Sequence, residues 1–363
     1  MLTVLVLDGL LLGVALVDAS AAEAVKRIRY TLTDLGSETS AVRINSAGEV
    51  ALTRSAGADE YQAVLFSRGK FYEVEQPEGM MSFARDLNDE GKLVGNFKPL
   101  VPDGLSFTWE RGLAFIFHAG VTQRVDLDPE TALTRAELID ASGAIVGKRD
   151  GTSLAVLLRG RDITPLIGPL PEKEGEPRGS FHAKFFLKPG EIVGTVVTMC
   201  EVQKIGDTYL HASRSEPYLF KDGRMVKLPG KWSPLGGNRH GVIVGGACER
   251  EHGEAVRLGP DGLVRLGIPD GFENSVARAI NAAGAIVGEA YSGPIHNQRT
   301  HAFLYSEGEW IDLNDAVDLA DTAFTELWCA TGINDRGQII GRGLAKGGYH
   351  AFLLTPIEGE SKK

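Results

Sequence analysis

ARAINAAGAIVG at residues 277–288 and ATGINDRGQIIG at residues 330–341 decide the fold of this chain. Both follow the template Ala-x-x-(Ile/Leu)-Asn-x-x-Gly-x-(Ile/Leu)-Val-Gly. Weaker copies begin at Ala41, Ala84, Ala136, Ala183 and Pro234. The central glycines are Gly48, Gly91, Gly143, Gly190, Gly241, Gly284 and Gly337, spaced 43, 52, 47, 51, 43 and 53 residues apart. A period of this size, with several short apolar runs per unit, is the signature of a β-propeller.

Each unit reads as four strands. Strand a is Ala-x-x-Ile-Asn and strand b is Gly-x-Ile-Val-Gly. The Asn-x-x-Gly between them is a tight turn, because Asn bonds its own backbone and Gly supplies positive φ. Asn45, Asn88, Asp140, Asn238, Asn281 and Asn334 hold the turn position, and Leu187 breaks the pattern. Strand c is a β-branched or aromatic run such as QAVLF at 62–66, HAFLY at 301–305 and HAFLL at 350–354. Strand d follows a second glycine turn in six of the seven units. The seventh lacks it at the C-terminal end, but YTLTDLG at 30–36 precedes the first strand a and has the right character. The expectation is an all-β, seven-bladed propeller over 28–356. Its last blade is closed by residues 30–36, which removes free sheet edges.

The segments HAFLY at 301–305, HAFL at 350–353 and GINDRGQIIG from Gly332 resemble the HAF-repeat family of extracellular bacterial repeat proteins. The stretch IDLNDAV from Ile311 through Trp328 is also similar to its pattern. The likeness spans the ring, and is specific in the last two repeats and eroded in the first five. It implies an exported propeller-like protein and carries no catalytic residues.

The chain has 363 residues, 43% hydrophobic and 24% charged, as in globular proteins. A net charge of −10 argues against nucleic acid as a partner. An apolar run at 10–17 and Ala-Ser-Ala at 19–21 read as a signal peptide over residues 1–21, although the n-region lacks Lys and Arg and Asp8 interrupts the stretch. The expectations are therefore an extracellular or periplasmic protein, no stable membrane span after processing, a monomer, and a disordered tail over 357–363. Cys200 and Cys248, near the ends of strand b in adjacent units, could form a disulfide in an oxidising compartment. The alternative is three unpaired thiols with Cys329.

In up-and-down blades the a–b and c–d turns share one face, and the b–c loops and d–a crossings share the other. The long segments, 96–112, 195–215, 168–181 and 314–328, all fall on the second face. Variable loops on a rigid scaffold are where binding or catalysis resides. His211, His252 and His296 on b–c loops are weak candidates for a metal or a general base. Trp109, Arg111, Arg214, Glu251, Tyr291, Arg299 and Trp328 are candidates for walls that hold a glycan or protein. His301 and His350 recur at one blade position, which points to a structural hydrogen bond. No phosphate loop, calcium loop or nucleophile elbow is present, and no cofactor is expected. The leading reading is a non-catalytic binding or scaffold module. The alternative is a secreted hydrolase or lyase acting on a glycan or small ester near the axis, with Asp103, Glu110, Asp150, His211 and Glu251 as loop candidates.

Overall fold

The computed structural model describes residues 29–57, 60–100, 112–125, 133–149, 155–168, 179–205, 208–249, 252–293 and 299–357. The chain opens with β1 (Tyr30–Ser37). Blade one is β2 (Thr39–Ile44), β3 (Val50–Gly57), β4 (Glu60–Ser67) and β5 (Lys70–Glu73). Blade two is β6 (Met80–Leu87), β7 (Leu93–Pro99), β8 (Leu113–His118) and β9 (Val121–Arg124). Blade three is β10 (Leu133–Ile139), β11 (Ile145–Arg149), β12 (Ala155–Arg159) and β13 (Asp162–Pro165). Blade four is β14 (Ser180–Lys188), β15 (Glu191–Ile205), β16 (Thr208–Lys221) and β17 (Arg224–Lys227). Blade five is β18 (Ser233–Gly237), β19 (Ile243–Glu249), β20 (His252–Gly259) and β21 (Gly262–Gly267). Blade six is β22 (Asn274–Ile280), β23 (Ile286–Ser292), β24 (Arg299–Ser306) and β25 (Glu309–Asp312). Blade seven contains β26 (Phe324–Ile333), β27 (Ile339–Ala345) and β28 (Gly348–Pro356).

Six sheets are sequential meanders, and the seventh has the order β1-β28-β27-β26. The N-terminal strand supplies the missing outer strand, pairing Tyr30 with Pro356 and Leu32 with Leu354. The seven-bladed ring expected from the repeat is therefore the fold. The first strand of each blade is innermost, since β2 contacts both β6 and β26, and β10 contacts β6 and β14. The outermost strands are the most exposed, as in β5, where all four residues are open to solvent.

Two recurrent devices explain the template. The first is a bulge in strand a. One extra residue follows the template Ala or Pro in all seven blades, for example Val42, Arg85 and Arg278. In six blades a glycine of strand b faces this bulge, and in blade one Leu52 stands there. A Cβ on Gly288 would stand 1.9 Å from the Val276 carbonyl oxygen, and one on Gly341 would stand 2.1 Å from that of Cys329. The second device is the turn Asn. Its Oδ1 caps the turn, as when Asn334 accepts from the backbone N–H groups of Arg336 and Gln338. Its Nδ2 then donates to the turn carbonyl of the next blade. Asn45 reaches Asn88, Asn88 reaches Asp140, Asn238 reaches Asn281, and Asn281 reaches Asn334, at 2.9–3.2 Å. Asp140 has no side-chain N–H, and its Oδ2 instead accepts from the backbone of Gly190. Leu187 can do neither, so blade four interrupts the ladder. A small cavity of about 290 Å³ lies at this end of the axis, bordered by Arg43, Asn45, Asp86 and Asn238.

The segment 195–215, expected as a loop, is a correction. It lies largely within the long antiparallel pair β15–β16, whose register runs from Ile192↔Phe220 to Ile205↔Thr208. The run TVVT at 195–198 is β-branched, and β-branched residues favour continued pairing over loop structure. Likewise 314–328 is only partly a crossing, because β26 begins at Phe324.

Candidate functional site

The sequence candidates divide by what the structure describes. Trp109, Arg111, Glu251 and His296 lie outside the described residues, as do Asp103, Glu110 and Asp150. His211 lies in β16 opposite Val202, Cys200 lies in β15, and Cys248 lies in β19 opposite Gly253, but their side chains are outside the description. His252 opens β20 and is exposed. Arg214 in β16 lies 3.6 Å from Glu216. Tyr291 lies in β23 opposite Thr300 and Asn274. Arg299 and Trp328, from blades six and seven, are brought together around His301 and Glu326.

The centre of that group is His301, at the start of strand c. Its Nδ1 lies 2.5 Å from Asp312 Oδ2, at the end of strand d in the same blade. Its Nε2 lies 2.9 Å from Glu326 Oε1, on the innermost strand of blade seven. Trp328 donates its indole N–H to the other Glu326 oxygen at 2.6 Å. Arg299 approaches His301 Nε2 at 3.4 Å and lies over the Phe272 ring at 4.8 Å. Phe272 also meets the imidazole edge-on at 5.2 Å. The hydrogen-bonded chain thus runs His301–Glu326–Trp328 across the blade six–seven boundary, with Arg299 packed beside the imidazole.

Local sequence explains the placement. Asp312 is held by Asn314, whose backbone N–H and Nδ2 both donate to its Oδ1. Asn314 also exchanges hydrogen bonds with the backbone of Leu327, fixing the crossing onto β26. A carboxylate bonded this way is a fixed acceptor for His301. The hydrogen bond to Asp312 raises the His301 pKa above the ordinary imidazole value; burial opposes it, and the charges of Asp312 and Glu326 add to it. For Asp312, burial pushes upward, but the bonds from His301 and Asn314 outweigh it and leave the carboxyl below its usual range. Both ring nitrogens therefore face carboxylates, which favours a charged imidazolium donating to each. The same pair recurs in blade seven, where His350 Nδ1 lies 2.9 Å from Asp34 of β1 and so ties the two chain ends together.

Beside this chain lies a cavity of about 680 Å³, bordered by the blade five–six crossing and by β24 and β25. Phe272, Arg299, His301, Trp310, Asp312 and Asp315 are on its walls. Trp310 is itself held by edge contacts to Phe303 and Tyr305, at 4.6 and 4.9 Å. Crossing, strand-c start and strand-d end place much of the cavity on the face that carries the long segments. Sequence reasoning named Arg299 but missed Phe272, Trp310 and Glu326. Trp310 opens strand d and reads as core, and Glu326 has no counterpart in the repeat.

Among the described residues no group of three or more His, Cys, Asp and Glu side chains is arranged to hold a metal ion. No described helix is long and apolar enough to cross a membrane.

No family model matches the chain, and no curated protein matches it. Solved structures do. The β-propeller domain of the Trilobed protease from Pyrococcus furiosus, described as having an open velcro topology, is 11% identical with a TM-score of 0.50, covering 91% of this chain and 96% of that one. The acylaminoacyl peptidase of Pyrococcus horikoshii is 13% identical with a TM-score of 0.52, covering 90% of this chain and 53% of the peptidase. The chain thus spans about half of that peptidase. At such identities the likeness establishes the fold, a β-propeller, and nothing about chemistry.

Proposed function

We propose that this chain is an exported, HAF-repeat-type binding module that takes a glycan on its long-loop face, in the groove beside His301. The observation that carries this reading is a cavity of about 680 Å³ on whose wall Arg299, His301 and Asp312 stand beside Phe272 and Trp310, with His301 held by Asp312 and by Glu326 of the next blade. Fixed carboxylates accept sugar hydroxyl protons, Arg299 donates to ring and hydroxyl oxygens, and Phe272 and Trp310 offer apolar ring surface. Most of the polar groups are already held by neighbours, so the site is pre-organised and ordering it costs little on binding.

A hydrolase is the second reading, and the His301–Asp312 pair favours it, since an Asp-oriented imidazole is a common general base. Against it, Nε2 faces Glu326 at 2.9 Å instead of a hydroxyl or thiol nucleophile. The test is a thermal-shift screen against neutral oligosaccharides, run with and without chelator, with the incubated sugars then chromatographed. A concentration-dependent rise in Tm with intact sugar supports the module. Cleaved sugar supports the hydrolase, and no shift with any glycan removes the glycan reading.

A further inference from the structure

Two side chains contend for one atom in the groove, the Nε2 of His301. Glu326 Oε1 lies 2.9 Å from it, and Arg299 Nε lies 3.4 Å from it. A carboxylate needs a proton on that nitrogen. A guanidinium, which only donates, needs a lone pair there. One protonation state of the ring therefore serves Glu326, and the other serves Arg299.

The second ring nitrogen does not share this choice. Nδ1 lies 2.5 Å from Asp312 Oδ2, and the backbone N–H and Nδ2 of Asn314 fix Asp312 in turn. The Nδ1 proton thus stays with Asp312, and the Nε2 proton is the one that leaves. Asp312 comes from β25, Glu326 from β26 and Arg299 from β24 itself. β23 presents Ala290, and the blade five–six crossing presents the Phe272 ring. Asp270, Glu309 and Asp315 are the other titratable groups on the cavity wall. The hydrogen bond to Asp312 favours the charged ring; burial opposes it, the charges of Asp312 and Glu326 add to it, and that of Arg299 subtracts. An imidazole is the ordinary side chain that changes charge near neutral pH.

The two states differ in what they offer a ligand. Beside the imidazolium, Glu326 is anchored between His301 and the Trp328 indole, and like charge keeps Arg299 off the ring. Arg299 is exposed and lies over Phe272, so it can donate into the cavity that both residues border. Beside the neutral ring, a lone pair faces the Glu326 carboxylate, which loses its anchor. Arg299 then donates to Nε2 instead of to a ligand.

We infer that His301 is a pH switch for the groove: the charged ring fixes Glu326 and frees Arg299 for a neutral glycan, and the neutral ring withdraws both. The inference rests on the glycan reading of that groove. The only transfer is a proton, taken from solvent on to Nε2 as the pH falls.

The experiment titrates the full chain calorimetrically at pH 5.5, 7 and 9 with the neutral oligosaccharide that gives the largest thermal shift. Affinity should fall about tenfold or more from pH 5.5 to pH 9, the worth of one charge-assisted hydrogen bond. His301→Gln should bind equally at all three. Glu326→Gln, at a side chain 32% exposed, should move the fall to lower pH, because the imidazolium loses an opposite charge. His350→Gln removes the matching His–Asp pair of blade seven, outside the groove, and should keep the wild-type profile. Wild-type affinity that does not change with pH would overturn the switch and leave the glycan groove standing. So would a fall that survives in His301→Gln or stays in place in Glu326→Gln. Absence of binding at every pH would overturn the groove and the switch together.

Discussion

The side-chain amide of Asn334 donates to the backbone carbonyl of Asn45 at 3.0 Å, across 289 residues of sequence. It is the step of the Asn ladder that joins the last blade to the first. The ring is therefore closed twice, by the β1–β28 pairing at the rim and by this bond near the axis. Substituting Asn334 by Ala leaves the buried Asn45 carbonyl short of a donor and the turn uncapped. Urea unfolding should show a loss of about 1–3 kcal/mol. Asn334→Asp should retain the cap but set a carboxylate against a carbonyl, so its deficit should shrink as the pH falls and the new acid protonates.

The bulge makes a sharper prediction. Gly288→Ala would drive a Cβ against the Val276 carbonyl at 1.9 Å and the Phe303 ring at 2.9 Å. Backbone must shift to admit it, which costs about 1–3 kcal/mol or more. The same change at Gly308 in the c–d turn of that blade meets no atom within 4 Å and suffers only from its φ of +86°. Denaturation midpoints of the two variants should rank Gly288→Ala as the more damaging.

His301 and Asp312 predict a pH window. The His301 pKa is raised on folding, so its stabilisation is complete below the unfolded imidazole value and is lost as pH rises through the folded one. The Asp312 pKa is lowered, so its contribution is present above the unfolded carboxyl value and is lost as pH falls through the folded one. Their joint contribution is greatest between about pH 4 and 6.5. Melting temperatures of wild type and His301→Gln should differ most in that window and converge above it.

Cys329 tests the wall between blades six and seven. Its thiol donates to Glu289, which also holds Arg278 through Nε at 2.7 Å. Burial raises the thiol pKa strongly, and the Glu289 charge adds to this. Thiolate is the reactive form. Iodoacetamide at pH 8 should leave the Cys329 peptide unmodified in the folded protein and alkylate it in denaturant.

The sequence was most legible where one solution repeats. Asn at the turn, Gly against the bulge and the missing strand d each recur or fail to recur at a fixed spacing, so two clear and five weaker copies reinforce one another. Residues 195–215 misled because length between motifs was equated with loop, when the intervening β-branched residues keep pairing. The candidate site was legible only in part. Arg299 stood out as a candidate wall residue, but Glu326, which holds His301 beside it, belongs to the next blade, and that contact depends on where a crossing ends.

The central claim is that the groove beside His301 binds a glycan without turning it over. The most direct measurement is calorimetric titration of the protein with the best neutral oligosaccharide from the thermal screen, in parallel with Arg299→Ala and Phe272→Ala. The account predicts saturable binding at one site, weakened about tenfold or more by each substitution, with the sugar recovered intact. Binding that neither substitution weakens, or sugar that is cleaved, would contradict it.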